Sequence, residues 1–270
     1  MMKGIYIVLL LTLHLYTFAQ PSSASGDTLP LTQRNYVGLQ GEYAHFSKDL
    51  KAWKTVALES QLLHKSWVFL PKLSYSERFE QKAWFTELDL YKKCVNKDYF
   101  YLKGAYSASE VFAHRRFDAE YFNTFAKVWE HSVGLKYMHY NGNIDVSLLT
   151  ASLSKYSGKY YTLLRANLGV QNSITPNILS ASIQQRYYHS DLAFSAVNIS
   201  YGFDPSAVIL NGNTTTAVAQ NKTFSLGVST QQAIGSRFFL EARADMIKYT
   251  FVSNQRSQFL YSLKLMYTWW

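Results

Sequence analysis

A two-residue period runs through nearly the whole chain. Stretches of roughly 10 to 13 residues alternate apolar with polar or small side chains, then break at a polar turn. Successive side chains of a strand point to opposite faces, so each stretch reads as a strand with one greasy and one mixed face. The runs are Tyr36–Ser47, Trp53–Leu63, Trp67–Phe79, Ala83–Cys94, Tyr99–Ser107, Phe117–Ala126 and Trp129–Tyr140. They continue as Ile144–Ser154, Tyr160–Gln171, Ile178–Tyr188, Leu192–Phe203, Thr223–Gln232, Arg237–Tyr249 and Gln258–Trp269. From Asn35 onwards no segment sustains a 3.6-residue apolar period, which excludes helical and α/β folds. No long repeat, heptad or low-complexity linker divides the chain, so it reads as one domain.

The last run shows the pattern at full strength. Phe259, Tyr261, Leu263, Leu265, Tyr267 and Trp269 share one wholly apolar face, while Leu260, Ser262, Lys264, Met266, Thr268 and Trp270 share a mixed one. A chain that stops on such a strand resembles the closing strand of a bacterial outer-membrane β-barrel. The resemblance implies an assembly signal in Tyr261, Leu263, Leu265, Tyr267, Trp269 and Trp270, read by the barrel-assembly machinery. The alternation counts best from Trp269, so Trp270 is one residue beyond the pattern. An edge strand of a soluble sandwich is the competing reading.

The other end favours export. Lys3 precedes an apolar stretch from Ile5 to Leu15, and Thr17-Phe18-Ala19 supplies small residues before Gln20. That is the layout of a cleaved secretory signal peptide over residues 1–19. The apolar stretch is shorter than the ~20 residues of a spanning helix. Residues 20–34 then form a short polar lead-in, and 35–270 the barrel. The sole cysteine, Cys94, rules out an internal disulfide scaffold and is expected as a small apolar filler in a strand.

Aromatic residues make up 16% of the chain, with 21 Tyr, 17 Phe and 6 Trp against 5 Pro. Aromatic girdles at two membrane interfaces would use them. A mean hydropathy of −0.14 suits strands with lipid on one side and water on the other. The formal charge of +9 forms no basic run, so anionic lipopolysaccharide or an anionic solute fits it better than nucleic acid.

These features predict an all-β, transmembrane, antiparallel up-and-down barrel of about fourteen strands, an even number as in closed bacterial barrels. The weakly marked runs around Trp67 and Phe117 leave twelve open. Asn141-Gly142-Asn143 and Ser157-Gly158 are turn sequences that tolerate positive φ. With the N-terminus in the periplasm, the two longest connections, 108–116 and 204–221, fall on the external side. Short periplasmic turns and longer external loops are the expected asymmetry.

Parity then sorts the faces. Phe238, Leu240, Ala242, Ala244 and Met246 oppose Phe239, Glu241, Arg243 and Asp245. An Arg or Lys on the lipid face costs roughly 2–4 kcal/mol near the midplane, so the charged set must point inward. The same argument places Glu87, Asp89, Asp118, Glu120, Glu130 and Arg165 in the lumen. Inward ion pairs could stiffen a narrow interior, or the same groups could line a polar conduit. Parity fixes a face but not a depth, so no carboxylate pair can be singled out for acid/base work. No catalytic motif or metal-ligand spacing occurs, and no cofactor or metal is expected. Glu130, His131, Ser132 and His139 contain the residue types of a lipid hydrolase, but Glu130 and Ser132 face away from His131.

The chain resembles the YaiO family of outer-membrane β-barrels in its Bacteroidetes-type form. The resemblance rests on Glu87-Leu88-Asp89-Leu90-Tyr91, Tyr106-Ser107 with Phe112 and Arg115-Arg116-Phe117, and Trp129 to Tyr137. Tyr156-Ser157-Gly158-Lys159-Tyr160-Tyr161 with Arg165, Arg186-Tyr187-Tyr188 and Tyr201 to Pro205 extend it. It implies a fold and an outer-membrane location, and carries over no catalytic residue. The expected function is passage or binding of a hydrophilic solute by a monomer, with an exported or cell-surface polysaccharide as favoured ligand. A closed barrel acting through its external loops is the alternative, and a lipid hydrolase the third reading.

Overall fold

The computed structural model describes residues 34–47, 51–78, 80–94, 98–109, 112–141, 144–171, 174–203, 222–250 and 255–269. The expected signal peptide and lead-in up to residue 33, the 204–221 connection, Gly142-Asn143 and Trp270 lie outside them. Fourteen strands follow in chain order: β1 (Asn35–Phe46), β2 (Trp53–His64), β3 (Trp67–Arg78), β4 (Gln81–Lys93), β5 (Tyr99–Ser107), β6 (Arg115–Phe125) and β7 (Trp129–Tyr140). The second half is β8 (Ile144–Ser157), β9 (Tyr160–Gln171), β10 (Ile174–Ser190), β11 (Ala193–Phe203), β12 (Lys222–Ile234), β13 (Phe238–Thr250) and β14 (Gln255–Trp269). Each pairs antiparallel with its sequence neighbours, and β1 pairs with β14 from Asn35↔Trp269 to Phe46↔Gln258, closing the barrel. Both runs left open, around Trp67 and Phe117, are strands, so the count is fourteen and not twelve.

Closure answers the edge problem, since a closed barrel leaves no unpaired ladder to face lipid. Strand lengths from 9 residues in β5 to 17 in β10 meet the ~9–11 residues needed to cross a bilayer. Strand β10 starts earlier than its alternation suggests, at Ile174, because a register shift between Ile174 and Ile178 interrupts the two-residue pattern there. Pro71 marks a second irregularity. Pairing of β2 with β3 stops at Glu59↔Lys72 and resumes at Leu62↔Phe69, and Pro71, which has no N–H to donate, sits in that gap.

Burial is inverted relative to a water-soluble protein. Leu179 and Leu135 are 65% and 63% exposed, whereas Asp118 and Glu120 are 2% and 4% exposed. The most deeply buried side chains include Gln61, Gln258, Thr150 and Ser76. Water would drive those apolar groups inward, so the surrounding solvent of this surface is hydrocarbon.

The rim carrying Asn35 and Trp269 also carries short turns such as Lys65-Ser66, Gly158-Lys159 and Asp191-Leu192. Gly158 has φ 59°, as its hairpin turn requires. Short turns belong to the periplasmic rim of bacterial barrels. Cys94 corrects an expectation. It is exposed, just past the end of β4, where its N–H donates to the Asp98 carbonyl at 2.8 Å. The chain is already turning towards β5 there, so Cys94 fills no strand face.

Candidate functional site: the barrel interior

The side chains of Glu87, Asp89, Asp118, Glu120, Glu130, Arg165, Glu241, Arg243 and Asp245 all lie on the inward parity of their strands, opposite exposed Leu88, Phe117, Val133, Leu164 and Met246. The fold joins most of them into ion pairs. Lys103 bridges Glu87 at 2.5 Å and Asp89 at 3.3 Å. Arg116 grips Asp118 through two nitrogens, at 3.0 and 2.6 Å. Arg165 reaches Glu120 across three strand intervals at 2.9 Å, and the Ser132 hydroxyl donates to the same carboxylate. Arg243 pairs with Asp245 on its own strand at 2.7 and 3.0 Å. Lys264 links Glu241 at 2.7 Å to Glu59 at 3.2 Å, and Tyr36 donates to Glu59 at 3.0 Å. Glu130 is buried and accepts from the Ser154 hydroxyl at 3.4 Å. Opposite charges placed on adjacent inward positions offset the cost of removing each from water.

Two cavities open between these groups. One of about 160 Å³ is lined by Tyr36, Glu59, Leu70, Lys72, Glu87, Asp89 and Lys103, beside the pairing gap at Pro71. The other, about 300 Å³, lies against β10 to β13 and takes in Gln184, Arg186, Phe194, Asn198, Ser229, Glu241, Arg243 and Asp245.

Towards the periplasmic rim the interior is aromatic. Tyr99 stacks on Phe122 at 4.4 Å, Tyr91 meets Tyr101 at 4.9 Å, and Tyr156 meets Tyr161 at 4.6 Å. The opposite mouth is narrowed by apolar groups. Ala44, Phe46 and Trp53 form one cluster, and Met138, Tyr140, Ile144, Val146 and Leu148 another, with Ala113 packed on it. Phe112, in the β5–β6 connection, stacks on the inward Phe85 at 5.0 Å. Arg78 lies between Phe112 and Trp53, at 4.4 and 4.8 Å from the ring centres. On that rim, outside the spanning strands, Lys51 donates to Glu80, which holds the Glu80 carboxyl below its ordinary range and lifts the Lys51 ammonium above its own.

Parity places the acids and arginines named above on one face, and the structure adds Glu59, Lys72, Lys103 and Arg186 to the interior. Their signal was the same alternation, applied to β2, β3, β5 and β10. The hydrolase residues stay apart: Glu130 and Ser132 point inward, while His131 is exposed on the outer face. His139 instead contacts Asp145 at 2.8 Å. A histidine–serine contact does occur elsewhere on the outer face, between His189 Nε2 and Ser195 Oγ at 2.9 Å. Among the described residues no carboxylate is bonded to that imidazole. No group of three His, Cys, Asp or Glu among the described residues is arranged to hold a metal.

A closed fourteen-stranded wall, apolar outside and ionic within, defines a transmembrane β-barrel of the bacterial outer-membrane type. The profile of the YaiO membrane beta barrel domain matches residues 34–207, and the chain belongs to that family. Among solved structures, a bacterial polysaccharide outer membrane secretin superposes with a TM-score of 0.57 at 7% identity, covering 87% of this chain and 98% of that one. The CymD monoaromatic hydrocarbon channel superposes at 0.59 with 8% identity, covering 91% of each. At such identities these similarities establish the fold alone. No curated protein sequence matches the chain.

Proposed function

We propose that the barrel binds or passes a hydrophilic solute through its interior, with an exported or cell-surface polysaccharide as the favoured ligand. The observation that carries this is the polar lining of the ~300 Å³ cavity, where Gln184, Asn198 and Ser229 stand beside paired charges. Such a lining offers donors and acceptors to hydroxyl groups, and the interior tyrosines offer ring faces for sugars. Glu87, Asp89, Asp118, Glu120, Glu130, Arg165, Glu241, Arg243 and Asp245 line the path. Outside, the barrel contacts outer-membrane lipid and lipopolysaccharide as a monomer. The outward residues of β14, with Trp270, serve as its assembly signal, and the first 19 residues as a cleaved export signal.

Replacing Arg243 and Glu241 with alanine tests the reading. Conductance or sugar binding should change while the heat-modifiable folded form persists. Loss of folding with unchanged sugar binding in the residual folded fraction would make these residues structural. A second reading, a closed barrel acting through its external loops, draws on the inward packing of Phe112 against Phe85 and Arg78. Under it, Phe112→Ala would leave conductance at zero.

A further inference from the structure

Arginines inside this barrel are treated unequally. Arg116, Arg165 and Arg243 each hold a carboxylate within 2.6–2.9 Å. Arg186, on β10, does not. Its Nη1 donates to the Tyr188 hydroxyl at 3.1 Å and its Nη2 to Gln184 Oε1 at 3.3 Å, both neutral acceptors. Its Nε is buried and has no partner. Among the described residues no carboxylate forms an ion pair with it. A guanidinium drawn from water without a counter-charge is costly, and ring faces offset only part of that cost. Three such faces surround it: Phe194 at 4.5 Å, Tyr161 at 5.6 Å and Tyr188 at 5.8 Å.

The charge sits on the ~300 Å³ cavity, which is at the small end of ligand pockets, roughly 300–1,000 Å³. Two acids on the same wall do not compete for it. Asp245 is held by Arg243 and Glu241 by Lys264. Neither carboxylate of the cavity is paired with Arg186, and around it the wall carries the neutral hydrogen-bonding groups of Gln184, Asn198 and Ser229.

Resting on the solute-binding reading above, we infer that this cavity is a subsite for one carboxylated sugar unit of an acidic glycan. Its carboxylate pairs with Arg186, and its hydroxyls bond to Gln184, Asn198 and Ser229. Planar guanidinium–carboxylate pairing gives the site its preference for acidic over neutral sugars.

The test is titration calorimetry on the whole refolded barrel in detergent micelles, using a glucuronate trisaccharide, its methyl ester and free acetate. The acid should bind roughly tenfold or more tightly than the ester, because only the acid makes a charge-assisted bond. Acetate, lacking the hydroxyls, should bind far more weakly than the acid. Arg186→Gln should remove about that tenfold advantage, so that acid and ester bind alike. Arg186→Lys keeps the charge without the planar fork and should fall between. It also serves if the glutamine variant does not fold. Equal binding of acid and ester, equal binding of acid and acetate, no binding of any, or an Arg186→Gln protein that keeps its preference would each overturn the inference. A barrel that conducts yet binds no glucuronate keeps the conduit and loses this subsite. One that binds glucuronate but carries no current does the reverse.

Discussion

At the scale of single residues, the interior is tuned by what its glycines leave empty. Gly227, on β12, lies opposite Asp245 of β13, and a Cβ built there would overlap the Asp245 carboxylate. The absence of a side chain is what lets Asp245 lie across the strand while Arg243 holds it. Gly134, on β7, is hemmed in by backbone, since a Cβ there would overlap the Ala119 carbonyl oxygen and come 2.8 Å from the Glu120 Cα. Gly41 and Gly104 have open space around theirs. Gly227→Ala should therefore destabilise the barrel by about 1–3 kcal/mol, the usual cost of overpacking, and Gly41→Ala by less than about 0.5 kcal/mol. Urea titration of the protein folded into vesicles measures both. Equal stabilities would mean that Asp245 has no fixed place.

At the scale of elements, each strand is a two-sided object whose faces obey different solvents. Strand β14 is the sharpest case, with Tyr261, Leu263 and Leu265 about half exposed outward and Met266 and Thr268 buried inward. Leu263→Arg is expected to cost about 2–4 kcal/mol if it lies near the bilayer midplane. Tryptophan fluorescence during denaturant unfolding in vesicles checks this, and an unchanged midpoint would place that face in water. This two-sidedness is why the fold was so legible in the sequence. A period of two runs through the strands, broken in β10 at its register shift, and hairpin connections leave little choice of partner. Legibility stopped at depth. Parity put Lys264 on the inner face of β14, but nothing in the sequence says that Glu59, two strands away, shares its height. Ion pairs such as Lys264–Glu59 and Arg165–Glu120 depend on strand tilt and stagger around the barrel, which no local pattern encodes. Arg186 was hidden for the same reason, because its uncompensated charge is visible only once its neighbours' heights are known. Cys94 was misread because alternation fades at a strand end, where the turn takes over.

At the scale of the whole molecule, the interior is graded along its axis. Aromatic rings gather towards the periplasmic rim, paired charges occupy the middle, and apolar clusters with Phe112 narrow the opposite mouth. A solute crossing would meet each in turn. Phe112→Ala removes one of the groups at the narrow mouth and should raise conductance severalfold without altering heat-modifiability, which recordings of purified variants would show. The central claim, that the interior serves a hydrophilic solute, is tested most directly by single-channel conductance of the refolded wild-type protein in a planar bilayer, repeated with oligosaccharides added. The expected result is a steady open current that one class of sugar blocks. A correctly folded, heat-modifiable barrel that passes no current and binds no sugar would contradict it, and the external loops would then become the seat of function.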